Sequence, residues 1–201
     1  MEARLGTVGS LKARVIRAPM VPLSWRLRTF LNYTWRGWIG WHLAKAFSKL
    51  AGVMTAVPRL GIRLVRRDGS VVNYGYVYRL VTTAFVNFMV DQLQTETSVW
   101  GDFKYHDSGI GTTAAAIGDT DIETSDGEPR ATGNQGEGAS ANIYKSVGTI
   151  AYTTTKAITE HGLFNASTGP TLLDRHVFSA INVNNGDSIE FTYELTCTAG
   201  G

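Results

Sequence analysis

The stretch AITEHGLFNAS, residues 157–167, sets Glu160 and His161 side by side ahead of Gly162. A carboxylate next to an imidazole is the pairing that general acid–base chemistry uses, provided that both groups reach the same proton. The neighbouring residues argue against that. Ile158, Leu163 and Phe164 make this segment read as a strand, and adjacent side chains of a strand point to opposite faces. Glu160 and His161 are therefore expected to diverge, with Gly162 marking a bend or a close backbone approach. A strand corner or bulge is favoured over a catalytic pair.

The other groups with chemical potential are scattered. His106, His161 and His176 with Asp107 and Asp174 carry metal-ligating atoms, but no two of them stand at the spacing of a metal site. Asp174 and Arg175 read as a surface pair. The acidic run Asp119, Asp121, Glu123, Asp126 and Glu128 lacks the order and the closing glutamate of a calcium loop, so it is expected to be solvated or to face a partner. GIGTTAAAIG has glycines but no Lys-Ser/Thr and no strand-to-helix context for phosphate. No catalytic residue, metal or cofactor is assigned, and the chain is expected to be non-enzymatic.

Charge is the stronger signal. The net charge of +2 hides a partition: residues 1–67 hold thirteen bases against the single acid Glu2, or +12, and residues 68–201 hold six bases against sixteen acids, or −10. Within the basic head Trp25, Trp35, Trp38 and Trp41 interleave with Arg26, Arg28 and Arg36, and Arg63, Arg66 and Arg67 follow. Arginine among aromatics suits a protein interface, a phosphate backbone with stacked bases, or a membrane surface. An acidic protein face is the favoured partner. Nucleic acid comes second, and a membrane or packing onto the chain's own body comes last. The most apolar window, WIGWHLAKAFSKLAGVMTAV, contains His42, Lys45 and Lys49 and so reads as amphipathic rather than spanning. The first residues do not read as a signal peptide, and the lone Cys197 excludes an internal disulfide framework.

The elements that would position these groups fall into three stretches. Residues 1–60 read as an extended basic arm followed by helix. Ser24 caps WRLRTF, and Ile39, Leu43, Phe47, Leu50 and Met54 form one helical stripe that Pro58 ends. Residues 61–98 read as a hairpin turning at Asp68-Gly69, then a short helix capped by Thr82 or Thr83. The apolar residues of that helix, Phe85, Val86, Phe88, Met89, Val90 and Leu93, cover most of its girth, which predicts a largely buried element. Residues 99–201 change to short strands separated by Gly, Thr, Asn and Asp clusters, as in an antiparallel β-sandwich or barrel. In the last strand Phe191, Tyr193, Leu195 and Cys197 share an apolar face, and Thr192, Glu194 and Thr196 a wet one. Val177, Ile181 and Val183 are expected inward from the strand before it. Residues 112–140 read as a long polar loop, mobile or ordered by a neighbour. The fold class is thus mainly β, an antiparallel sandwich or barrel behind a basic arm and short helices.

The β part resembles small structural proteins of tailed bacteriophages and prophages. The residues that carry the resemblance are FKYHDSGIGTTAAAIGDTDIET, the run from SVGTIAYTTTKAITEHGLF to GDSIEFTYELT, and more loosely VTTAFVNFMVDQL. The resemblance thus runs from Val81 to Thr196 and does not reach the basic head. It implies a non-enzymatic virion component of β-rich fold. The partners expected for the basic head are other virion proteins, a major capsid subunit or neighbouring copies, and a homo-oligomer is expected. The chain is short and has no repeat, coiled coil or collagen-like stalk, so a capsid decoration or cement protein is favoured. A minor tail or fibre component that contacts the host is the alternative within that class. A nucleic-acid-binding virion protein is the alternative outside it.

Overall fold

Asp68-Gly69 closes the first hairpin of the protein. Gly69 takes a left-handed φ of 81°, which glycine adopts without a side-chain clash. Backbone hydrogen bonds from Arg66 N to Ser70 O and from Gly69 N to Arg66 O tie the turn. A computed structural model describes residues 55–94, 103–169 and 171–198, together with Ile39, His42, Leu43 and Ala46. The hairpin strands are β1 (Thr55–Val65) and β2 (Val71–Tyr78). Pro58 does not end a helix: it lies inside β1, whose first residue is Thr55. Its carbonyl accepts from Arg79 N, just beyond the last residue pair with β2. A residue's N and C=O point to the same side of a strand, so the donor that proline lacks falls where the ladder has already ended. Of the anticipated apolar stripe, Ile39 and Leu43 are helical and exposed; Phe47, Leu50 and Met54 lie outside the described residues.

Thr82 caps helix α1 (Thr83–Gln94), its hydroxyl accepting from Phe85 N at 3.2 Å. The helix is not largely buried. Phe85 and Phe88 meet Phe103 edge to face at 5.1 and 5.2 Å, whereas Val86, Val90 and Leu93 are 44%, 49% and 77% exposed. A helix on the outside of a sandwich offers one stripe to the core, whatever its composition.

The remaining strands are β3 (Tyr105–Gly109), β4 (Ala131–Thr132), β5 (Asn134–Glu137), β6 (Ile143–Ala151), β7 (Lys156–Phe164), β8 (Leu172–Val183) and β9 (Ser188–Thr198). They form two antiparallel sheets, ordered β2-β1-β9-β6-β5 and β4-β3-β7-β8, so the protein is mainly β and built like a sandwich. Because β1 lies between β2 and β9, one sheet joins the N-terminal hairpin to the C-terminal strand.

The core between the sheets includes Leu60, Ile62, Leu64, Ile150, Ile158, Leu163, Ile181, Val183, Ile189, Phe191 and Tyr193, and all of them are buried. Ile181 and Val183 face it as anticipated, but Val177 does not. Glu160 pairs with Val177 while Ile158 pairs with Ile181, so β8 carries extra residues between those pairs. This bulge reverses the alternation: Phe178 takes the core position, and Val177 sits on the outer face with Glu160. In β9 the apolar face is as read, but Glu194 on the other face is buried, in an ion pair with Arg59.

Candidate functional site

Glu160 and His161 do diverge, and both are fully buried. Cross-strand partners share a face. His161 pairs with Ser108 and His176 toward the core, and Glu160 pairs with Gly109 and Val177 on the outer side. Each is the centre of a different polar cluster.

The inner cluster is a chain of side chains running between the sheets. Arg79, in the link from β2 to α1, lies with Nη1 2.9 Å from His161 Nδ1, and it also donates from Nη2 to the His161 carbonyl at 2.9 Å. His161 Nε2 is 3.0 Å from His106 Nδ1, and His106 Nε2 is 2.9 Å from Ser146 Oγ. Arginine donates and never accepts, and that settles the direction of the chain. His161 must accept at Nδ1 and carry its proton on Nε2. His106 then accepts at Nδ1 and donates from Nε2 to Ser146. Both rings are neutral. Burial first, and then the charge of Arg79, hold the His106 pKa down to about 3, and the same two causes hold His161 well below its ordinary value. A serine beside a histidine has the outline of a nucleophile and its base, but here the nitrogen facing the hydroxyl bears the proton. In this state His106 has no lone pair with which to activate Ser146.

On the far side of Arg79, Nη2 lies 2.8 Å from Asp174 Oδ1, with both side chains fully buried. The contact is one of charge rather than an aligned hydrogen bond: both Asp174 carboxylate oxygens, Arg79 Nε and the Tyr193 hydroxyl have no hydrogen-bond partner among the described residues. Burial raises the Asp174 carboxyl to about 7 against the opposing pull of Arg79. Asp174 and Arg175 are not a surface pair. They are successive residues of β8, and both are buried. Asp174 points to the core with Leu163, and Arg175 points to the outer face.

The outer cluster orders the polar loop. The Glu160 carboxylate accepts from Gly111 N and Thr124 N at 2.9 Å on Oε1, and from Glu123 N at 3.0 Å and Arg175 Nε at 2.7 Å on Oε2. Arg175 also bonds Asp119 Oδ2 at 3.0 Å, Glu123 Oε2 at 3.2 Å and the Thr113 carbonyl at 3.1 Å. The acidic run is thus neither simply solvated nor left for a partner to order. Arg130 bonds Asp107 at 2.8 Å and stacks on Phe164 at 3.4 Å. Lys156 and Thr153 hold Glu128, and Ser108 holds Asp126. Residues 110–124 are laid by their own chain over the outer face of the four-stranded sheet, and Ser125 bridges to Gly109 at its β3 edge. Gly109 and Gly111 make this possible, since a Cβ on either would overlap the Glu160 carboxylate.

Of the residues expected to meet a partner, Trp25, Arg26, Arg28, Trp35, Arg36, Trp38 and Trp41 lie outside the described residues. Arg63 pairs with Glu190 of β9 at 2.8 Å and Arg66 with Asp187, in the turn that links β8 to β9, at 2.7 Å, and Arg67 is exposed beside Gly186. The sequence reading missed Arg79 and Ser146 as members of a site, and Glu160 with Arg175 as one unit. A faint signal was present for Arg79, a single charge set in the run YVYRLV, where an isolated cation requires a buried counter-charge.

Among the described residues no group of three or more His, Cys, Asp or Glu is placed to hold a metal ion, and no helix is long and apolar enough to cross a membrane. The fold and its polar clusters define a β-sandwich-like protein. Comparisons with family models, with curated proteins and with solved structures return no match to this chain.

Proposed function

We propose that this protein is a non-enzymatic structural component of a tailed-phage particle, a capsid decoration or cement protein held to neighbouring virion subunits by its basic head. The observation that carries the reading is the charge partition, taken at the boundary where β1 begins. Residues 1–54 hold nine bases and one acid, +8, and residues 55–201 hold ten bases and sixteen acids, −6. Arg59, Arg63 and Arg66 are paired with carboxylates of β9 and of the turn before it, so the cationic excess available to a partner belongs to the tryptophan-rich residues before Thr55. The resemblance to phage structural proteins supports the same class. So does the way the titratable residues of the sandwich are engaged with one another.

The test is particle attachment. Full-length protein and a chain lacking residues 1–53 are added to particles assembled without it. The full-length chain is expected to saturate at many copies per particle and the truncated chain to stay unbound. Added salt should weaken attachment in part, because charge is screened and aromatic burial is not. Equal attachment by the truncated chain would place the anchor in the sandwich. Saturation at a few copies would point to the tail or fibre. Tight DNA binding by the head that salt abolishes would replace the reading with a nucleic-acid one.

A further inference from the structure

We propose that the chain Arg79–His161–His106–Ser146 is an acid-sensitive latch: proton uptake by the two histidines separates the two sheets that it joins. The chain crosses between layers. His106 and His161 belong to the four-stranded sheet, Ser146 to the five-stranded one, and Arg79 to the link that leaves the latter. Every ring nitrogen in it has one role. A second proton on His161 would set an N–H against the Arg79 guanidinium at 2.9 Å, and a second proton on His106 would set N–H against N–H at 3.0 Å. Neither ring has room to turn away. Gly133 and Gly148 abut His106 so closely that even a Cβ would overlap the ring, and the Phe191 ring lies 4.4 Å from His161. Relief therefore requires the layers to part.

The other charged and titratable groups around the latch reinforce this. From β8, Asp174 faces Arg79, and His176 sits opposite His161. From β9, Tyr193 lies across from Ser146, and from β6 Tyr144 approaches Tyr193. The residues that β1 presents to the core, Ala56, Leu60, Ile62 and Leu64, carry no titratable group. His176, like the other two histidines, is held well below its ordinary pKa by burial and then by Arg79 and Arg175. A histidine whose folded pKa is depressed favours the fold above its unfolded pKa near 6.5, and that contribution is lost as pH falls. Asp174 acts in the opposite sense. Its folded pKa of about 7 exceeds its ordinary 3.8, so between those values it binds its proton more tightly in the fold. Three histidines against one aspartate leave a net uptake of about two protons on opening between about pH 4 and 6.5.

The test uses the intact chain, with urea unfolding followed by fluorescence from pH 8 to pH 4.5. Stability is expected to be level above about pH 6.5 and to fall below it with a slope of about two protons. His161→Gln should reduce the slope by about one proton, whatever it does to stability at pH 7.5, and Asp174→Asn should steepen it by about one. A histidine that takes up no proton on opening would shift the curve without changing its slope. Ring-nitrogen NMR of the unmutated protein at pH 7.5 should find both histidines neutral with the proton on Nε2, a reading that remains if a variant fails to fold. A level stability curve down to pH 4.5, an unchanged slope in His161→Gln, or a proton on His106 Nδ1 would each overturn the proposal.

Discussion

Glu160 and Arg175 meet at 2.7 Å across β7 and β8, both buried, and between them they bind the backbone or side chains of Gly111, Thr113, Asp119, Glu123 and Thr124. One ion pair thereby ties residues 111–124 to the outer face of the sheet. Breaking a buried pair leaves an uncompensated charge, although here Asp119 and Glu123 remain to Arg175. Glu160→Gln is expected to lower stability by about 2–4 kcal/mol and to open residues 110–124 to proteolysis before the sandwich unfolds. Thermal unfolding combined with limited proteolysis checks both parts, and an unchanged cleavage pattern would show that the loop has another anchor.

The glycines of that loop separate close packing from backbone freedom. A Cβ at Gly109 would overlap the Thr124 carbonyl, whereas at Gly118 it would meet nothing within 4 Å. Neither has a left-handed φ. Gly109→Ala should therefore destabilise by about 1–3 kcal/mol through overpacking, and Gly118→Ala should stay within about 0.5 kcal/mol of the parent. Urea midpoints of the two variants side by side decide this, since equal midpoints would contradict the packing argument.

Leu195 reports on the core. It is 6% exposed and lies on the inner face of β9 with Phe191 and Tyr193. Leu195→Ala should cost about 2–5 kcal/mol, as loss of a buried leucine does. A smaller loss in chemical denaturation would mean that the site collapses around the cavity.

The boundary between head and sandwich is set by Thr55, Ala56 and Val57, which pair with Thr198, Cys197 and Thr196. Removal of residues 1–53 should leave the unfolding midpoint of the sandwich unchanged. Removal of residues 1–57 deletes these three pairs and should lower it. If both truncations melt alike, the start of β1 adds nothing to stability.

Much of the local structure was legible because its causes are local. The turn at Asp68-Gly69, the cap at Thr82 and the alternation of β9 each follow from a few adjacent residues, and so does the divergence of Glu160 and His161, which needs only a strand. Pro58 reads as a helix end in the sequence, yet proline in β1 is tolerated for a reason outside its own segment: the ladder to β2 has already ended there. Val177 reads as inward-facing, yet a bulge in β8, visible only against its partner β7, reverses which residues face the core.

The two polar clusters lay beyond any local reading. Arg79 and His161 are 82 positions apart, His106 and His161 are 55 apart, and Arg175 and Asp119 are 56 apart. Composition and periodicity determined that the chain would be mainly β with a basic head. Only the tertiary structure decided which charges would be neutralised and by which partners. The free energy of a buried charge depends on the few groups within hydrogen-bond reach of it, and the packing of distant strands alone brings those groups together.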